Sequence, residues 1–327
     1  MWKRYKRLLR QFGTMVDAEQ VANMKETEVA EWVPGISEAR LLGHLKKLVG
    51  TRHPTEAPKA LQAAADYILS WMKQLGLDPI EEYFGGDEGK AYVNLIGSQS
   101  GSRADQEVLD VGAHYDTVVE TDGADDNASG LAVLLEVARI LSPMRGRRTL
   151  QFVAFSMEET GFLGSRHYVR EIRKNKLPLW GEIVLECVGY TDRRPGSQRT
   201  PAGFPFSLPY QGDFIGLVGN ERAAQIKEAF ESAAVCYSPS LPVISLLVPG
   251  NGALFLDARR SDHVPFWDQG YRAVMLTDIA DFRNPHYHQK SDCLETLDLS
   301  FIAAIARTLA AAVIDLAGLG LPTESSR

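Results

Sequence analysis

The chain has 327 residues, 45% apolar and 24% charged, a balance that suits a globular protein with a sizeable core and excludes a disordered or fibrous one. Its formal net charge of −7 leaves no overall basic footprint for nucleic acid. Three cysteines, Cys187, Cys236 and Cys293, are too few and too scattered for a disulfide framework or a thiolate zinc site; they fit free thiols in a reducing compartment.

The first ten residues, Met1 to Arg10, are basic. A secretory signal would continue into an unbroken apolar run, but Gln11, Thr14, Asp17 and Glu19 intervene. No stretch reads as reaching the roughly 18 apolar residues of a membrane span, so the expectation is a cytoplasmic chain without stable membrane insertion. Trp2, Tyr5, Leu8 and Leu9 would share one side of a short surface helix, although a solvated extension is the simpler reading. Residues 1–35 read as a polar helical extension closed by Pro34-Gly35, residues 36–320 as a single domain and residues 321–327 as a tail.

Within that domain, Leu41, Leu42, Leu45 and Leu48, then Leu61, Ala65, Ile68, Leu69 and Met72, recur at helical spacing and predict two helices, the second stopped by Gly76. Strands and helices then alternate. Strands are expected from Asn94 to Gly97, Val108 to His114, Leu150 to Phe155, Ile183 to Val188, Phe214 to Val218 and Ala273 to Leu276. Helices are expected over Leu131–Leu141, Arg166–Lys174, Glu221–Ala234 and Leu299–Leu316. The alternation predicts an α/β fold, a three-layer α/β/α sandwich around a mainly parallel, mixed central sheet. Ligand sites in such folds gather at the carboxyl ends of the strands, and the polar residues that stand out lie there.

His114 and Asp116 follow the second of these strands, a spacing in which a carboxylate can orient a metal-binding imidazole. Asp125 and Asp126 open the helix from Leu131; capping accounts for one acid there, whereas a bound dication would make both tolerable. Glu158 and Glu159 follow the strand ending at Phe155, and such a pair can divide metal binding from proton transfer. Glu186 interrupts an apolar strand and needs a partner if buried. Finally, His286 and His288 flank Tyr287 ahead of Asp292, and chemistry alone lets either histidine bind metal.

The order of these motifs, H-x-D, G-A-D-D-x-A-S-G, E-E-x-G-x-x-G-S, an acid in an apolar strand and Y-H-x-x-x-D, resembles that of the di-zinc aminopeptidases, a family that includes bacterial leucyl aminopeptidases, glutamate carboxypeptidase II and glutaminyl cyclases. The resemblance spans about residues 36 to 318 and takes in Ser261-Asp262-His263. It implies a zinc-exopeptidase-like catalytic domain holding two zinc ions and acting on peptides. On it, His114 and Glu186 would serve one ion, Glu159 and His288 the other, and Asp126 would bridge them. Asp116 would orient His114, Glu158 would be the general base, and Tyr287 would assist substrate binding. Asp125 and His263 would be supporting residues. Many members of the family carry aspartate where this chain has Glu186, a departure that bears on metal spacing.

Three other activities share that scaffold: glutaminyl cyclisation, carboxypeptidase or deacylase action, and a non-catalytic receptor role. A carboxypeptidase needs cations for the substrate carboxylate, for which Arg194, Arg259, Arg260 and Arg283 are candidates. The segment Arg193 to Asp213, rich in Pro, Gly and aromatics, is expected to form a wall or lid.

Overall fold

The computed structural model describes residues 35–85, 91–102, 107–201 and 204–320, together with the backbone of a three-residue strand, Gly13–Met15. In chain order the elements are β1 (Gly13–Met15), α1 (Glu38–Leu48), α2 (Pro58–Gln74), β2 (Ile80–Phe84), β3 (Tyr92–Gln99), β4 (Val108–His114), α3 (Gly130–Leu141), β5 (Thr149–Phe155) and α4 (Leu163–Asn175). They continue with β6 (Leu179–Glu186), β7 (Ile215–Asn220), α5 (Ala224–Tyr237), β8 (Val243–Val248), α6 (His263–Asp268), β9 (Ala273–Thr277) and α7 (Leu299–Ala317).

The strands form one sheet in the order β1-β8-β7-β9-β6-β4-β5-β3-β2. Its centre, β9, β6, β4 and β5, is parallel, and antiparallel pairing brings in β7 on one side and β3 and β2 on the other. Because side chains alternate across a strand, Ile183 and Leu185 of β6 join the core beneath α1, α2, α3, α5 and α7, while Glu182, Val184 and Glu186 face the side covered by α4 and α6. On that second side Phe155, Tyr168, Phe266 and Trp267 make a smaller core. These are the three expected layers.

Local sequence explains the helix ends. Ser37 caps α1, accepting from the amide of Arg40 at 3.3 Å, and Asp298 caps α7, accepting from Phe301 at 3.0 Å. Gly318 takes the left-handed conformation that closes α7, at φ 61°.

Four sequence expectations need correcting or bounding. Of the helical extension over 1–35, the described residues Gly13–Met15 pair with β8 as a strand, and most of the rest, like the tail 321–327, lies outside the described residues. The helix expected from Glu221 starts at Ala224, since Glu221–Ala223 form a tighter turn. Strands β2 and β8 and helix α6 were not expected at all. Lastly, Leu299–Ala317, at 19 residues, is long and apolar enough to cross a membrane by length and composition. In the fold, 78% of its most apolar window is buried, and it packs on α1, α3 and α5; a helix enclosed on all sides is apolar all round for that reason too.

Under α4, Asp110 of β4 and Glu182 of β6 sit opposite each other, both fully buried. The Tyr168 hydroxyl lies 2.9 Å from Asp110 Oδ2 and 2.8 Å from Gln151 Oε1. Burial pushes the Asp110 carboxyl up to about 7, despite the Tyr168 contact, and pushes Glu182 well above the usual range, with Asp110 and Asp262 adding to it. The folded chain thus holds protons here that an unfolded chain, with carboxyl pKa near ~4, releases. The stability this contributes is complete below pH ~4 and is lost as pH rises toward 7. Replacing Asp110 by Asn should therefore raise stability at pH 8 by about 1 kcal/mol or more, with the gain shrinking at pH 4, as read from urea midpoints.

Candidate metal centre

Parallel strands bring their carboxyl ends to one edge, and that edge collects the polar residues. His114 ends β4, level with Phe155 at the end of β5, and Glu186 ends β6, level with Thr277 of β9. Glu158 and Glu159 follow β5, Asp126 lies in the wide turn Ala124–Ser129 before α3, and His288 comes from the loop after β9.

Two triplets result, and they share Asp126. His114 Nε2 lies 3.2 Å from Asp126 Oδ1 and 3.4 Å from Glu186 Oε2. His288 Nε2 lies 3.1 Å from Asp126 Oδ2 and 3.2 Å from Glu159 Oε2. Each oxygen of Asp126 therefore faces one triplet, as a bridging carboxylate requires. His114 Nε2, Asp126 Oδ1 and Glu159 Oε1 are buried, yet no hydrogen bond of good geometry from the described residues satisfies any of them. Imidazole and carboxylate donors at this spacing suit zinc, so the residues present fit a pair of such ions.

The electrostatics agree. Burial works against the charged form of His114, but Glu186 and Glu158 outweigh it and raise its pKa well above the ordinary value. Likewise, Asp126 and Glu159 overcome burial to lift His288 to about 10. Burial would raise Asp126, but the two histidines hold it below the carboxylate range. Burial and the charge of Asp126 bring Glu159 up to about 7, and burial raises Glu158 well beyond its usual value, with Glu186 and Asp262 adding to it and His114 opposing. The carboxylates are tolerable together only with a positive charge among them, which protonated histidines or metal cations can supply.

Surrounding groups fix the ligands. Asp116 accepts from the amides of Glu158 and Glu159 at 3.1 and 3.3 Å, and its backbone carbonyl lies 3.2 Å from His114 Nδ1, with the carboxylate at 3.6 Å. It thus ties two motifs together as well as facing the histidine. Asp292 accepts from the amides of Asp125 and Asp126 at 2.9 and 3.1 Å. Asp125 turns away from the triplets and accepts from Gly189 N and Asn284 Nδ2 at 2.8 and 2.7 Å. Ser261 donates to Glu186 Oε2 at 2.6 Å and the Cys187 thiol to Oε1 at 3.2 Å, so both oxygens of the longer acid are held. His263 is buried against the Trp267 ring and bonds the Ala258 carbonyl at 2.8 Å, away from the ligands. His286 is turned to Ser291 Oγ at 2.8 Å and takes no part, whereas Tyr287 stacks on the His288 ring at 3.9 Å. Ser261 lay within the resemblance without a role assigned to it, and the buried Arg52 beneath the ligand loop had no motif to announce it.

Beside Glu186 and Tyr287 opens a cavity of about 380 Å³. Its floor is Leu246, Val218 and Met275, one row across β8, β7 and β9. Pro201 and Phe204, from the segment expected to form a wall, line it too.

The sequence pattern described as peptidase family M28 matches residues 94–313. The chain is 35% identical over 280 residues to the uncharacterized protein YfbL of Escherichia coli, covering 80% of this chain and 83% of that one. The solved zinc aminopeptidase BSAP from Bacillus subtilis is 27% identical with a TM-score of 0.52, over 68% of this chain and 50% of that one. A glutaminyl cyclase from Macrostomum lignano shares the fold, with a TM-score of 0.71 at 19% identity, over 94% of this chain and 97% of that one.

Removing divalent metal should return the carboxylates to mutual repulsion. Chelation followed by gel filtration is expected to lower Tm by about 5 °C or more, and added zinc should restore it. An unchanged melting curve would count against metal binding at the triplets.

Proposed function

The chain belongs to peptidase family M28, and from that premise we propose that it is a zinc-dependent metallopeptidase that releases N-terminal residues from peptides. The observation that carries the proposal is the sharing of Asp126 between two triplets of convergent ligands, one of them buried and the other exposed at His288. We assign His114, Asp126 and Glu186 to one zinc and Asp126, Glu159 and His288 to the other. When bound, the ions lower the pKa of a water and polarise the scissile carbonyl.

Glu158 is the proposed general base. It is buried, lies close to His114 and Glu186, and has a raised proton affinity. A carboxylate in that setting accepts the proton of the attacking water and returns it to the departing amine nitrogen. Asp116 holds the amide of Glu158 and so fixes where that carboxylate starts. Burial raises the Tyr287 hydroxyl above its ordinary pKa, which keeps it a hydrogen-bond donor toward the substrate carbonyl.

Two observations favour the aminopeptidase reading. The four arginines considered for a carboxypeptidase are already engaged: Arg194 with Asp192, Arg259 with Asp268, Arg260 with Asp281, and Arg283 with Gln198. The cavity beside Glu186 is a place for the side chain on the acyl side of the cleaved bond. Its floor lies two residues along the strands from the Glu186–Thr277 level, roughly 7 Å deep. The floor residues are apolar, although Glu186, Asp257 and Arg260 also line the cavity, so an apolar side chain suits the floor best.

Glu158→Gln should keep its zinc and lose about 10²–10⁴-fold in kcat, measured with an aminoacyl anilide; near-normal turnover would remove Glu158 from the mechanism. A panel of leucyl, phenylalanyl, alanyl and lysyl anilides, N-acetyl-leucyl anilide and an N-terminal glutamine peptide tests the rest. Leucine and phenylalanine should exceed alanine by about 10-fold or more in kcat/KM. Turnover of the blocked substrate alone would sink the aminopeptidase reading, and conversion of the glutamine peptide to its pyroglutamyl form would favour a cyclase.

A further inference from the structure

Between the ligands His114 and Asp126 runs an irregular segment, 115–125, that must return to a fixed place for both triplets to form. One buried side chain ties three of its carbonyls. Arg52, in the turn after α1 and outside the matched segment 94–313, is 1% exposed. Its Nε donates to the Tyr115 carbonyl at 2.8 Å, one residue beyond His114, and its Nη2 donates to the Gly123 carbonyl at 3.0 Å, three residues before Asp126. Nη1 donates to the carbonyls of Leu48, Gly50 (2.8 Å) and Asp122 (3.3 Å). The backbone reinforces this, with Arg52 N donating to Thr117 Oγ1 at 2.9 Å and Gly50 N to the Asp122 carbonyl at 2.7 Å. At Gly123, where φ is +56°, a Cβ would stand 2.4 Å from Thr117 Cγ2 and 3.0 Å from Arg52 Nη2, so the segment closes tightly over the guanidinium.

Among the described residues, all of the guanidinium's hydrogen bonds go to carbonyls and none to a carboxylate. The guanidinium charge is therefore not spent on an ion pair, and it lies within electrostatic reach of Asp126, Asp116, Asp292 and Glu159. A planar fork of five N–H donors can meet carbonyls in several directions at once, which the single ammonium of lysine cannot.

We propose that Arg52 is a positioning residue of the metal centre: by tying the carbonyls of Tyr115, Asp122 and Gly123 to the end of α1 it sets the separation of His114 and Asp126, and so the affinity for zinc. This rests on the two-zinc reading, and the test separates the two. Arg52→Lys keeps the charge and loses the fork; Arg52→Met loses both. Zinc affinity is measured by chelator competition, and the amide exchange of residues 117–123 is followed in the metal-free proteins. In Arg52→Lys the more weakly held zinc should bind at least about 10-fold less tightly, and those amides should exchange faster while β7 and β8 stay protected. Arg52→Met should behave at least as severely. If it does not fold, Arg52→Lys alone decides. Wild-type affinity in Arg52→Lys, or a lowered Tm with affinity unchanged, would overturn the proposal, since a charge effect or a merely structural role would then suffice. Should the wild-type protein bind no zinc, the metallopeptidase reading fails, and unchanged exchange in Arg52→Lys would overturn the tether independently.

Discussion

Acidic side chains crowded at the ends of β4, β5 and β6 repel one another, and most of the local structure exists to keep them there. Glu158, Glu186, Asp126 and Asp262 are nearly or fully buried, and burial together with the charge of Glu186 raises the proton affinity of Glu158 and Asp262. The fold meets this with two histidines inside the cluster, a buried guanidinium beneath it, and backbone amides aimed at Asp116 and Asp292. A pair of dications is the remaining counterweight, and the ligand atoms without good hydrogen bonds point where it would act.

The sheet supplies the rigidity. Its central strands are parallel, so their carboxyl ends meet at one edge, and the in-register pairs His114–Phe155 and Glu186–Thr277 keep that edge level. This much was legible in the sequence, because apolar runs ending in a histidine or glutamate announce both the strand and the site. Strand β8, Val243–Val248, was missed although it is wholly buried and apolar but for Ser245, since a short apolar run after a turn carries no periodicity of its own. Strand β2, Ile80–Phe84, was missed because only Phe84 of it is buried. Helix α6 is six residues long, less than two turns, too short to show a helical period.

Within the site, legibility followed chemistry rather than place. Imidazole chemistry could not separate His286 from His288; the resemblance did, and the structure turns His286 to Ser291 and brings His288 to Asp126 and Glu159. Glu186 stood out as an acid among apolar residues, yet nothing near it in sequence told that Ser261 and Cys187 would hold its two oxygens. Arg52 was invisible for a stronger reason. Its partners are carbonyls, and every residue has one, so no residue type in the sequence marks where they are.

The two triplets are built on different foundations, and that difference bears on how the centre works. His114 and Glu186 end strands fully paired within the sheet, so one triplet takes two of its three ligands from the most rigid part of the fold. Glu159 and His288 stand on loops, as does the shared Asp126; Glu159 is tied to Asp116, Asp126 to Asp292, and the segment leading to Asp126 to Arg52. Loops held by a few hydrogen bonds open at lower free energy than strands do. Asp126 therefore couples a triplet that is nearly preformed to one that must be ordered, and any substitution loosening the 115–125 segment acts on the second through the first. Glu158, the proposed general base, stands with His114 and Glu186 on the strand side, and its proton affinity is raised by burial, by Glu186 and by Glu159 from the other side.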